Sequence, residues 1–268
     1  MGKMVIIGGF VADTAYRDGR KPKMGETIMG TSFTLGPGGK GSNQAVASAR
    51  MGAETHIISK LGQDDFSKLA FDTWRKAGVI PHVQQLSSSY TGAAHIFIED
   101  STGDNAIIVA PGAATLIDIA FIHAHAALIA DSDVFVTQLE QPMDAAMYGL
   151  EIARAAGVTT VLNPAPAAIL PDGMLALCDY VTPNETECEF LTGISVRTQS
   201  QAKRACDVLR DLGVGTPIIT MGEQGAFVHG LGLVPAVIAG NVIETTGAGD
   251  AFNGGFAAAL AEKRTPLD

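Results

Sequence analysis

Residues 134–162 read VFVTQLEQPMDAAMYGLEIARAAGVTTVL, and their pattern decides the fold class. Val134-Phe135-Val136 is a short apolar, β-branched run of the kind that forms a buried strand. From Met143 to Ala156 the apolar positions recur at helical spacing, and Gly157 stands where a helix can stop. Thr159 to Leu162 then reads as another strand. Strand and helix in alternation argue for an α/β fold with a mainly parallel sheet covered by helices on both faces.

The same rhythm extends outward. Val5-Ile6-Ile7 before Gly8-Gly9 is a first strand, Ser42 to Met51 a helix stopped by Gly52, and His56-Ile57-Ile58 a strand. An amphipathic helix from Asp64 to Ala77 ends at Gly78, and Ile117 to Ala130 has helical character. Beyond the central unit come Tyr180-Val181, helices over Glu185–Leu191 and Gln199–Leu212, and a strand over Pro217–Thr220. Two regions break the pattern. Thr14 to Phe33 is polar and lacks helical periodicity, whereas Thr91 to Val109 reads as two strands around a Ser-Thr-Gly-Asp-Asn turn. An antiparallel insertion on the core fits both, and such an insertion can act as a lid.

The chain has 268 residues, 47% of them hydrophobic, and a mean hydropathy of +0.23, enough for one large core. Its formal net charge of −10 argues against a nucleic-acid partner. Cys178, Cys188 and Cys206 show no disulfide or metal spacing and read as buried thiols in a reducing compartment. The N-terminus is too short an apolar run for a signal peptide and no stretch is long enough for a membrane span, so the expected location is cytoplasmic. Trp74, Phe71, Met143 and Met147 read as core, and Lys60, Lys68, Arg75 and Lys76 as a solvated surface. His123 and His125, two apart, point to different faces and cannot share a metal.

Three motifs carry chemistry. Thr245-Thr246-Gly247-Ala248-Gly249-Asp250 runs directly into the apolar helical stretch Ala251 to Leu260. Amides of Gly247 to Gly249 at a helix start can receive an anion, and Asp250 is placed to take a proton from an attacking hydroxyl. The plainer reading is a glycine turn with Asp250 as a cap. Gly36-Pro37-Gly38-Gly39-Lys40-Gly41-Ser42-Asn43 is a second glycine loop feeding a helix. It is not a P-loop, because Gly41 follows Lys40 where Ser or Thr is needed. Bare backbone at Gly38 and Gly39 would admit a polyhydroxylated ligand, with Asn43 bonding its hydroxyls; a structural turn is the competing reading. In Thr182-Pro183-Asn184-Glu185-Thr186-Glu187, Asn184 and Glu187 form either a capping box or a set of oxygen ligands near phosphate and Mg²⁺.

Taken together, these motifs resemble the ribokinase-like carbohydrate kinase family. The likeness runs through Gly8-Gly9, Gly38 to Asn43, Gln138-Leu139-Glu140, Asn163-Pro164-Ala165-Pro166-Ala167, Asn184 to Glu187, Thr220-Met221-Gly222 and Gly247 to Asp250. It implies a single doubly wound domain over residues 1–268 with a small β-sheet lid drawn from about 13–38 and 91–109. It also implies pairing of that lid in a homodimer. Asp250 would be the catalytic base and Gly247, Ala248 and Gly249 the anion hole. Asp13, Gly39, Lys40, Asn43 and Glu140 would surround the sugar. Asn184, Thr220 and Gly222 would lie along ATP, with Glu187 organising Mg²⁺ and potassium a further cofactor. The implied reaction moves the γ-phosphoryl group of ATP to a primary hydroxyl of a pentose, ribose first. Val11 stands where the pattern usually has Asn, Glu244 where it usually has Asp, and the C-terminus is short for the family. These departures keep two alternatives open: a kinase of another sugar or nucleoside, and a sugar-binding protein without turnover.

Overall fold

The structure is a computed structural model that describes residues 2–237, 240 and 245–265. Glu244 lies outside the described residues. The first half of the chain forms β1 (Lys3–Ile7), β2 (Val11–Asp18), β3 (Ser32–Gly38), α1 (Lys40–Arg50), β4 (Glu54–Gly62), α2 (Asp65–Ala77), β5 (Ile80–Leu86), β6 (Thr91–Glu99) and β7 (Asn105–Gly112). The second half forms α3 (Ile119–His123), α4 (Ala126–Ala130), β8 (Val134–Thr137), α5 (Met143–Ala155), β9 (Thr159–Leu162), β10 (Tyr180–Val181), α6 (Glu185–Thr192), α7 (Gln199–Asp211), β11 (Thr216–Thr220), β12 (Ala226–Val228), β13 (Gly232–Val234) and α8 (Ala248–Ala261).

Alternation along β1 explains the layering. Met4 and Ile6 face one core with Ala45 of α1, Trp74 of α2 and Ala257 of α8. Val5 and Ile7 face the other, with Leu150 of α5 and Leu209 of α7. A strand apolar on both faces belongs in the middle of a covered sheet. The observed order is β13-β12-β11-β10-β9-β8-β1-β4-β5, parallel from β5 to β11 and antiparallel over β11, β12 and β13. The chain leaves β1 toward β4 on one side and later returns to β8 on the other. Such a reversal opens a crevice at the carboxyl ends of the strands.

A second sheet, ordered β3-β2-β6-β7, stands apart from the first. Its hairpins β2–β3 and β6–β7 are antiparallel, but β2 and β6 run parallel, a pairing across the insertion that local turn signals do not encode.

Several local expectations hold. Asp64 caps α2 by accepting from the Ser67 amide at 2.9 Å, and Gly78 ends it in the left-handed region. Trp74 is fully buried, and its indole N–H donates to Ser42 Oγ at 2.9 Å.

Others change. The single helix expected over Ile117 to Ala130 is split into α3 and α4. His125 explains the break: its Nδ1 lies 2.8 Å from the Phe121 carbonyl that a continuing helix would use, and its backbone N–H turns to Ile122 instead. Lys60 is not on a solvated surface. It is buried, 3.5 Å from Asp118 Oδ1 and 4.8 Å from the centre of the Phe121 ring. The edge strand β5 and the hairpin β12–β13 escape the periodicity reading, because β5 contains Pro81 and the hairpin strands are three residues each.

The carboxyl-end crevice depends on how closely α1 and α8 approach. A Cβ on Gly254 would lie 2.6 Å from both the Gln44 carbonyl oxygen and Ala47 Cβ, whereas one on Gly255 would meet nothing within 4 Å. Gly254→Ala is therefore expected to destabilise the protein by about 1–3 kcal/mol through overpacking. Gly255→Ala should be neutral or stabilising by up to about 1 kcal/mol, since alanine is the better helix former. Urea unfolding of the two variants checks both.

Candidate active site

The glycine loops work first by letting the chain approach itself. Gly39 is the N-cap of α1 at φ 86°, and a Cβ there would lie 2.8 Å from the Gly9 carbonyl oxygen and the Val11 amide nitrogen. Gly38 leaves room for the Asp13 carboxylate, which a Cβ would strike. The space beside the Cα atoms of Gly38 and Gly39, where side chains would stand, is thus filled by the protein's own chain. Its effect is to hold Asp13 of β2 beside the start of α1.

Three carboxylates reach the crevice. Glu140 Oε2 accepts from the Lys40 backbone amide at 2.7 Å, at the first turn of α1. Burial raises the Glu140 pKa, opposed by the Lys40 amide and ammonium and reinforced by Asp250 and Asp13. Glu187 completes the capping box of α6: its Oε2 accepts from the Asn184 amide at 2.9 Å while Asn184 Oδ1 accepts from the Glu187 amide at 2.8 Å. Its pKa too is raised by burial, against the pull of the Asn184 bond and Lys40. Asp250 is the third helical residue of α8, behind an N-cap Gly247 at φ 78°. It is 6% exposed, and each oxygen is held from α1: Asn43 Nδ2 donates to Oδ2 at 3.0 Å and Gln44 Nε2 to Oδ1 at 3.1 Å.

A cavity of about 160 Å³ sits among Lys40, Asn163, Thr182, Asn184, Glu187, Thr220, Gly247, Gly249, Asp250 and Asn253. A larger one, about 430 Å³, adjoins it through Asn184, Thr220 and Gly249, and is closed by Gly222, Ala226, Val234, Pro235, Ala248 and Phe252. A third, about 210 Å³, lies along the second sheet against Asp13, Arg17, Thr34, Ile96, Asn105, Ile107 and Thr246. Polar groups and carboxylates gather in the small central cavity, and apolar side chains in the second. A more voluminous cavity, about 650 Å³, lies elsewhere, against Arg154, Thr159, Tyr180, Thr216 and Lys263 at the opposite ends of the strands. Size does not mark the site here; converging buried carboxylates do.

Every residue expected at the site falls in or beside these three cavities. Asp250, Gly247, Gly249, Lys40, Asn184, Thr220 and Glu187 share the central one. Asn43 and Glu140 touch it through Asp250 and Lys40, Asp13 lines the third, and Gly222 and Ala248 line the second. The Ala248 amide donates to the Thr245 carbonyl at 3.0 Å, so the first-turn amides without a helical partner are those of Gly249 and Asp250. Asn253, Phe252, the Val234–Ala236 segment and Gln44 were not singled out by the sequence. Asn253 could have been found as the polar residue one turn beyond Asp250 on an apolar helix.

Against this geometry the comparisons with known proteins are decisive. The model of the pfkB family of carbohydrate kinases matches residues 1–268. The chain belongs to that family. Its members are phosphotransferases with an alcohol group as acceptor. A ribokinase of Haemophilus influenzae is 40% identical over 266 residues, covering 98% of this chain and 86% of that protein. A deoxyribokinase of Salmonella typhi is 34% identical, over 95% of this chain and 84% of its own. Among solved structures, Arabidopsis thaliana ribokinase complexed with ribose and ATP superposes with a TM-score of 0.93 at 28% identity, covering 98% and 87% of the two chains. The ribokinase-like α/β architecture expected from the sequence is therefore the one observed.

The pfkB site has a pH signature of its own. Burial pushes Asp13 up from an ordinary 3.8 to about 6. The folded state keeps a proton that the unfolded chain gives up, so ionised Asp13 weakens the fold as pH rises from 3.8 through about 6. Asp13→Asn is expected to raise the melting temperature relative to the wild type above pH 6, and the gain should fade on acidification toward 3.8. Thermal melts across that range check it.

Proposed function

We propose that this chain transfers the γ-phosphoryl group of ATP to a primary hydroxyl of a pentose, with ribose as the first candidate and ribose 5-phosphate as product. The observation that carries the reading is the position of Asp250. Its carboxylate sits at the N-terminal turn of α8 in the central cavity, between the Asp13 side and the apolar cavity beyond Thr220. An acceptor hydroxyl held by Asp13, Asn43 and Glu140, near Gly39 and Lys40, would present its proton to Asp250. As that oxygen bonds to the γ-phosphorus, Asp250 takes the proton, the bond to the β-phosphate oxygen breaks, and ADP leaves. Within the Gly247–Ala248–Gly249 turn the Gly249 amide, with that of Asp250 and the positive end of α8, would oppose the charge that builds on the phosphoryl oxygens, the Ala248 amide being bonded to Thr245. The nucleotide would run past Asn184 and Thr220 to Gly222, its base in the cavity closed by Phe252 and Val234.

Mg²⁺ fits the donor set. Glu187 spends one oxygen on its own cap and lines the cavity as a carboxylate, while no group of three or more His, Cys, Asp or Glu among the described residues could hold a metal alone. A magnesium ion prefers such a place, held by one carboxylate, waters and phosphate oxygens, and it would neutralise phosphate charge there. Potassium belongs to the same proposal; its expected contact, Glu244, is outside the described residues.

The second sheet would act as the lid over Asp13 within one 268-residue domain. It also supports a homodimer. Its edge strand β7 exposes Ile107, Ile108 and Val109 at 49%, 71% and 51%, an open apolar edge that pairing with a second copy would cover. A cytoplasmic location is proposed from Cys178, Cys188 and Cys206, all buried and free.

A second reading changes only the acceptor. Val11, two residues before Asp13 and so on the same face of β2, offers no side-chain hydrogen bond, and a deoxyribokinase is among the relatives. ADP release from ATP-Mg²⁺ with ribose, 2-deoxyribose, ketoses and nucleosides, with and without potassium, separates the readings. Turnover with ribose supports the first, turnover with another acceptor the second, and sugar binding without any ADP release refutes both. Asp250→Asn is expected to lower kcat by about 10²–10⁴-fold while sugar binding by calorimetry is kept. Ile108→Asp should convert the dimer to monomers in light scattering.

A further inference from the structure

Asp250 is held by more than the residue beside the substrate. Gln44 is fully buried, so it acts on the reaction only through what it touches. Its Nε2 donates to Asp250 Oδ1 at 3.1 Å and to Asn163 Oδ1 at 3.2 Å, which uses both amide protons. Its Oε1 accepts from Gln138 Nε2 at 2.6 Å, and Gln138 is itself fully buried. Asn163 is tied in turn, its Nδ2 donating to the Thr182 carbonyl at 3.1 Å.

The orientation of the Gln44 amide has one consistent solution. An ionised carboxylate only accepts hydrogen bonds, so the atom facing Asp250 must be the nitrogen. Turning the amide over would set its oxygen against the carboxylate. The donor from Gln138 holds the oxygen on the far side and keeps the nitrogen aimed at Asp250. Asp250 Oδ1 is thereby fixed from the core, and Oδ2, shared with Asn43, is the oxygen left at the cavity. The helices are in close contact here: one turn beyond Gln44, Ser48 Oγ lies 2.7 Å from the Gln44 carbonyl oxygen and 3.2 Å from that of Gly254 on α8.

We propose that Gln44 is a positioning residue for the base Asp250, with Gln138 and Asn163 locking its amide, so that Oδ1 is immobilised and Oδ2 is presented to the acceptor hydroxyl. The inference rests on Asp250 being the base.

Gln44→Met keeps the volume and removes the donor. We expect kcat to fall about 10–100-fold with acceptor KM within about threefold, as for a change felt in the transition state alone. Gln138→Met should do the same more weakly and should not add to Gln44→Met, because it acts through the same amide. A merely structural role would lower the melting temperature and leave kcat, measured well below it, unchanged; that result overturns the proposal. If Asp250→Asn retains turnover, the base assignment falls whatever Gln44 does. If Asp250→Asn is inactive while Gln44→Met is fully active, only the positioning role falls. The contact also has a readout that needs no turnover. In ¹⁵N spectra, identified by its loss in Gln44→Met, the Gln44 side-chain NH₂ should resist solvent exchange and shift in Asp250→Asn. Rapid exchange and an unmoved signal would overturn the proposal independently.

Discussion

Three carboxylates near one lysine, Glu187 and Asp250 buried and Glu140 partly so, would repel one another in a low-dielectric crevice, and the architecture is organised around making that arrangement tolerable. Glu140, Glu187 and Asp250 each sit at a helix N-terminus, of α1, α6 and α8 respectively. The backbone amides at those ends lack partners inside the helix and carry the positive end of its dipole. Glu140 takes the Lys40 amide, Glu187 takes the Asn184 amide, and Asp250 is held by side-chain amides from α1. Charge is thus balanced mostly by dipoles, with Lys40 the cation among the lining residues. Free backbone amides at helix starts are the groups through which a chain of net charge −10 can still meet an anionic ligand.

The doubly wound sheet is what brings three helix starts to one place. In a parallel sheet every strand ends on the same side, so each following loop and helix N-terminus faces the same crevice. Glu140 follows β8, Asn163 follows β9, Thr182 and Asn184 follow β10, and Thr220 ends β11. Residues separated by two hundred positions, Asn43 and Asp250, come within hydrogen-bond distance because α1 and α8 pack on the same face of β1. The second sheet adds the half-buried carboxyl of Asp13 from the side.

Buried amides give this site its rigidity. Gln44, Gln138, Asn163, Thr182 and Asn253 form connected bonds beneath the cavity, ending where Asn253 Nδ2 donates to the Gly249 carbonyl at 2.8 Å. Within it Gln138 Oε1 is left without a partner, but the remaining bonds resist opening, since each one broken would strand a further buried group. Precision at Asp250 then comes from the core rather than from the loop that carries it.

Much of this was legible in the sequence. The β-branched runs and glycine stops located the central strands and most helices, because period and capping are local properties. The Asn184–Glu187 capping box was readable from spacing alone, whereas the closeness of Gly38 to the Asp13 carboxylate was not. What sequence could not decide is set by distance along the chain. The split between α3 and α4 depends on one histidine side chain outcompeting a backbone donor, and the burial of Lys60 on Asp118 and Phe121 folding over it. The parallel pairing of β2 with β6, the three adjoining cavities and the role of Gln44 exist only once remote segments meet. A glutamine on a helix reads as surface until a carboxylate 206 positions away is packed against it.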